Sequence, residues 1–145
     1  NMTGWRIAFA CGNADAVGAL GTVKNNLASG QFTAVQDAAI AALTGSQQCV
    51  ADMCAIYQRR RDLVVATLRA IGLECEAPQA TIYVWTKVPE GQTSEGFATK
   101  LLEQAHVIVT PGSGYGADGE GFIRISLTTP DERLVEALHR IKENM

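Results

Sequence analysis

One apolar stripe constrains this chain more than any other feature. Val50, Met53, Tyr57, Val64, Leu68 and Ile71 recur at helical spacing from a break at Gly45-Ser46 until Gly72 ends the pattern. About 25 residues at 1.5 Å each make a helix of roughly 37 Å. That is more than one small domain requires and enough to bridge two lobes. The whole chain has 145 residues, the length of one modest domain. Residues 46–145 therefore read as a small lobe that begins with the linking helix, and residues 1–45 as a remnant of another lobe.

The remaining segments fall on either side of that helix. Residues 5–11, W-R-I-A-F-A-C, alternate and read as a strand, with Trp5, Ile7 and Phe9 facing one way and Arg6, Ala8 and Ala10 the other. Asn13 caps a helix to about Leu27, and an Ala-rich helix runs from about Thr33 to Leu43. Beyond Gly72 the pattern becomes α/β. Residues 81–88, 107–110 and 122–127 read as strands of one small mixed sheet. A helix capped by Ser94 carries Phe97, Leu101 and Leu102. Thr129-Pro130-Asp131-Glu132 spells a capping box with proline at the first helical position, ahead of a helix burying Leu134, Leu138 and Ile141. The fold class is α/β, with an α+β small domain of helices packed on that sheet.

Composition excludes several functions. A net charge of −3 argues against a nucleic-acid partner or an anionic membrane surface, which want basic excess. No apolar run approaches the roughly 20 residues of a membrane span. The opening residues lack the basic start and cleavage site of a secretory leader, and Asn1 suggests a chain that begins inside a longer gene product. Cys11, Cys49, Cys54 and Cys75 form no C-x-x-C pair, and His106 and His139 lie away from them. The expectation is reduced thiols in a cytoplasmic protein, with no metal site.

Two arginines stand inside strands rather than on charged helix faces. Arg124 lies in F-I-R-I-S-L, where Ile123, Ile125 and Leu127 face the core and alternation turns Phe122, Arg124 and Ser126 the other way. Its planar fork suits a carboxylate held bidentately; a solvated strand arginine fits the pattern equally well. Arg6 shares its face with Ala8 and Ala10, whose small side chains leave room for something bulky, and a phosphate suits an arginine there. Gly114, Gly116 and Gly119 spell G-x-G-x-x-G, but a strand follows where a dinucleotide site needs a helix. The segment reads as a close-packed loop between strands. Arg59-Arg60-Arg61 reads as a solvated helix face.

N-M-T-G-W-R-I at residues 1–7 resembles the segment after the cofactor lysine in class I/II aminotransferases, S-K-x-[FY]-N-M-T-G-W-R-[IV]-G. The blocks D-A-V-G-A-L-G-T-V-K-N-N, S-G-Q-F-T-A-V-Q, Y-Q-R-R-R-D, T-I-Y-V-W-T-K-V-P, T-P-G-S-G-Y-G and F-I-R-I-S-L continue the match, and several details are closest to the LL-diaminopimelate branch. Ala8 stands where the family usually has glycine. The resemblance implies the C-terminal part of the fold type I architecture, pyridoxal 5'-phosphate as cofactor, Arg6 on the cofactor phosphate and Arg124 on the substrate α-carboxylate. It places the Schiff-base lysine just upstream of Asn1, so no catalytic residue falls within the chain, which alone is expected to be inactive. The partners implied are an amino acid and a 2-oxo acid, the N-terminal half of the same polypeptide, and a second subunit in a homodimer. Alternatives kept open are a donor such as alanine, aspartate or an aromatic amino acid, the aminotransferase-like sensor domain of a transcription regulator, and a stand-alone interaction module.

Overall fold

A computed structural model describes residues 2–145. They divide into a unit that ends at Val50 and a second, Ala51–Met145.

The first unit holds α1 (Ala14–Leu27) and α2 (Thr33–Thr44). α1 starts where the sequence says it should: Asn13 Oδ1 accepts from the backbone N–H groups of Asp15 and Ala16 at 3.0 and 3.1 Å. The strand expected over residues 5–11 is absent. A strand needs a neighbour to satisfy its backbone groups, and the described residues of this unit offer none. Arg6 also takes a left-handed φ of 55°, which breaks an extended run. None of the described residues in this unit is buried.

The second unit begins within α3 (Gln48–Ala70), the long helix of the sequence. Its far half supplies Val64, Val65 and Leu68 to a core completed by α4 (Ser94–Ala105), α5 (Asp131–Glu143) and one sheet. The strands are β1 (Tyr83–Lys87), β2 (Thr110–Pro111) and β3 (Phe122–Ser126), in the order β1-β3-β2. Both pairings are antiparallel, so the sheet is not mixed as expected. Val84, Thr86, Ile123 and Ile125 point into the core, and the buried Thr86 hydroxyl donates to the Glu74 carbonyl at 3.0 Å.

Three local expectations need correction. The strand expected at 107–110 begins only at Thr110, because the Val107 N–H closes the end of α4 on the Leu101 carbonyl. α4 is capped by Thr93, whose hydroxyl accepts from Gly96 N–H, with Ser94 already helical and Leu102 exposed. The capping box at Thr129 does not form: Pro130 occupies the cap position and no side chain bonds there.

The triple arginine is also more than a solvated face. Arg59 and Arg60 both donate to the Asp131 carboxylate, and Arg60 reaches the Leu127 carbonyl at 3.0 Å. Arg61 bonds Asp62 and the Pro78 carbonyl. The cluster thus fastens α3 to the start of α5. Those two guanidinium groups hold the Asp131 carboxyl below the ordinary carboxylate range.

Candidate functional site

Arg124 occupies the middle of the central strand, opposite Trp85 of β1 and Thr110 of β2. Neighbours across an antiparallel ladder share a face, so Tyr83 and Trp85 lie on the same side of the sheet as Arg124, away from Ile123 and Ile125. The Arg124 guanidinium carbon lies over the Tyr83 ring, 3.9 Å from its centroid, and over the Tyr115 ring at 4.5 Å. Tyr115 in turn meets Trp85 edge to face at 5.4 Å.

Tyr115 comes from the Gly-rich segment, which is the close-packed loop the sequence suggested. It forms two short 3-10 turns, Gly112–Tyr115 and Ala117–Gly119. Gly112 and Gly119 press backbone on backbone: a Cβ on Gly112 would stand 1.9 Å from the Gly119 carbonyl oxygen, and the reverse distance is 2.1 Å. The loop is then tied to α4. Glu120 accepts from the Ser94 backbone N–H at 2.7 Å and from its hydroxyl at 2.8 Å, while Ser113 N–H donates to the same hydroxyl at 3.3 Å. The Ser94 backbone bond, then its hydroxyl bond, hold the Glu120 carboxyl below its ordinary range.

Arg6 lies in the first unit, exposed, in an open cleft of about 390 Å³ lined also by Thr3, Gly4, Ile7, Ala8 and Gln31. Ala8 is there as the sequence suggested; Ala10 is not among the lining residues.

Hydrogen bonding separates these two arginines from the rest. Arg59, Arg60, Arg61, Arg69, Arg133 and Arg140 each donate to a carboxylate or a backbone carbonyl. Among the described residues, the guanidinium groups of Arg6 and Arg124 donate no hydrogen bond. Those are the two the sequence singled out. No cluster of metal-ligating side chains occurs among the described residues, and no described helix is long and apolar enough to cross a membrane.

Sequence reasoning missed Tyr83, Tyr115, Ser94 and Glu120. Alternation in T-I-Y-V-W-T-K-V could have placed Tyr83 beside Arg124. Tyr115 sits in a loop whose path no period encodes.

Comparison with known proteins decides the family. The sequence profile of "Aminotransferase class I and II" matches residues 1–141. The chain belongs to the class I and II aminotransferases. An LL-diaminopimelate aminotransferase of Oleidesulfovibrio alaskensis is 55% identical over 141 residues, which cover 97% of this chain and 36% of that protein. The chain thus spans little more than a third of the curated relatives it matches. Among solved structures, an aminotransferase from Staphylococcus aureus superposes with a TM-score of 0.91 at 36% identity, covering 98% of this chain and 38% of the other. An aromatic aminotransferase from Pyrococcus horikoshii gives 0.90 at 34% identity, covering 98% and 39%. The fold of this aminotransferase-family chain is accordingly that of the C-terminal part of a fold type I enzyme.

Proposed function

We propose that this chain serves a pyridoxal-phosphate-dependent aminotransferase that moves an amino group between an amino acid and a 2-oxo acid, with LL-diaminopimelate as the amino donor. The observation that carries the reading is the pair of unspent arginines. The donor is suggested by relatives named for LL-diaminopimelate at 55% identity.

Arg124 receives the α-carboxylate, which both the donor and the acceptor present. Its position in the central strand keeps the main chain rigid beneath it, and charge-assisted bonds to the fork contribute roughly 1.5–3 kcal/mol each. Arg6 fits the cofactor's phosphate: it is a cation without a carboxylate partner among the described residues, in a cleft that Gly4 and Ala8 also line. When bound, the cofactor supplies the electron sink for the reacting carbon. Arg6 anchors its phosphate and Arg124 orients the substrate. Neither moves a proton. The lysine that would carry the cofactor belongs to the upstream part of the polypeptide in this reading, so the 145-residue chain alone is inactive. In the same reading residues 1–45 complete the large cofactor lobe, residues 46–145 are the small lobe, and the enzyme is a cytoplasmic homodimer.

Arg124→Lys in the complete polypeptide tests the assignment. Lysine keeps the charge and loses the fork. The expected result is a fall in kcat/KM of about tenfold to a few hundredfold in both half-reactions, with cofactor affinity unchanged. Arg6→Ala should loosen the cofactor first. Wild-type efficiency of Arg124→Lys in both half-reactions would end the carboxylate reading.

A further inference from the structure

A guanidinium offers two kinds of surface: flat faces that stack on aromatic rings, and edges that carry its N–H donors. In Arg124 the ring contacts are made, by Tyr83 and Tyr115, while the donors are unspent among the described residues. Both tyrosines are fixed independently of Arg124. Tyr83 is held in β1 by its pairing with Ser126, and Tyr115 by the loop whose ends are locked at Gly112 against Gly119 and at Glu120 on Ser94. Neither tyrosine hydroxyl makes a hydrogen bond among the described residues.

We infer that Tyr83 and Tyr115 are positioning residues: their rings hold the Arg124 guanidinium in one orientation, so that its donor edge is ordered before a carboxylate arrives. The inference rests on Arg124 being the carboxylate receptor and adds what makes it a good one. A free arginine must order a long side chain when its ligand binds, and that ordering weakens binding. Two rings from separately anchored elements remove most of it. The rings act through their faces. Phenylalanine should therefore replace either tyrosine, and leucine neither.

The 145-residue chain, labelled with ¹⁵N-arginine and titrated with sodium pyruvate as a simple 2-oxo acid, provides the test. In the wild-type chain the Arg124 Nε–H signal should be displaced by ring currents and should move further as pyruvate binds. Tyr83→Phe and Tyr115→Phe should keep that signal and bind pyruvate within about twofold of wild type. Tyr83→Leu with Tyr115→Leu should return the signal toward those of the exposed arginines and weaken pyruvate about tenfold, the scale of a desolvated cation–π contact. Retained binding in the leucine variant, or a loss in the phenylalanine variants as large as in leucine, overturns the positioning role and leaves the carboxylate reading standing. A wild-type Arg124 signal that ignores pyruvate overturns both. Should the leucine variant unfold, the phenylalanine pair and the wild-type ring-current shift still decide.

Discussion

The two units of this chain make their helices equally well and their cores quite differently. α1 has a well-formed asparagine cap, and α2 runs for three turns of good helix formers, yet no described residue before Val64 is buried. The second unit sinks Val64, Leu68, Val84, Phe97, Ile123 and Leu127 to 1% exposure or less. In the first, Phe9, Leu27, Phe32 and Leu43 stand 63–79% exposed. Helix formation is a local matter of caps and propensities, whereas stability requires apolar faces to meet. The first unit satisfies only the first condition.

The sharpest way to break the contrast is to remove one large side chain from each unit. Phe97→Ala should cost about 3–5 kcal/mol and abolish cooperative unfolding of the second unit, while Leu27→Ala should change stability by under about 0.5 kcal/mol. Urea denaturation followed by circular dichroism reads both. Equal costs would mean that the first unit has a core of its own.

Gly112→Ala comes next. The added methyl meets carbonyl oxygens of Gly119 and Phe122, both backbone, so the loop has to move. A loss of about 2–3 kcal/mol is expected, with the Trp85 fluorescence environment altered because Tyr115 leaves its edge. An unchanged melting temperature and spectrum would show the contact to be dispensable.

Exposed apolar faces favour association. The chain should sediment as more than a monomer at high concentration, and Phe32→Ser with Leu43→Ser should shift it toward monomer without altering the second unit's melt. A wild-type chain that stays monomeric throughout would leave those faces without this consequence.

The smallest effect is a pH dependence. Glu120 has its carboxyl held below the ordinary range in the folded chain, by the Ser94 backbone and hydroxyl bonds. Its stabilisation is therefore complete above the unfolded carboxylate range and is lost as pH falls through the lower folded value. Glu120→Gln should melt below wild type at neutral pH, and the gap should close as the solution is acidified through that range. A gap that stays constant from neutral to acid would remove Glu120 from the account.

What the sequence disclosed follows the same division. The alternation of Phe122–Leu127 was legible because period alone reports a buried face; the stripe from Val50 to Ile71 gave the helix correctly, but only Val64 and Leu68 of it are buried, Val50 standing 52% exposed. The alternation of residues 5–11 was just as clear and misled, since a strand is completed by a partner that no period within it reveals. The Arg59–Arg61 run misled in the opposite sense, its partner Asp131 lying 72 positions from Arg59. For the candidate site, Arg124 stands in the strand the alternation gave it, whereas Arg6 was picked from a strand that does not form. The Tyr115 ring was not legible, because its place depends on the Gly112–Gly119 contact across a loop.

The short strand β2 has a bearing on what that exposed first unit does in a concentrated solution. It pairs through two residues only and ends on Pro111, which has no N–H to offer. The sheet's other margin, along β1, is partly covered by the bridge from Cys75 to Thr86 and by the Lys87 N–H bond to Glu74. Neither margin presents the long row of open amides on which strands from other copies add. Chains that gather through Phe32 and Leu43 would therefore do so helix against helix, and the clusters should redissolve on dilution instead of growing into fibrils.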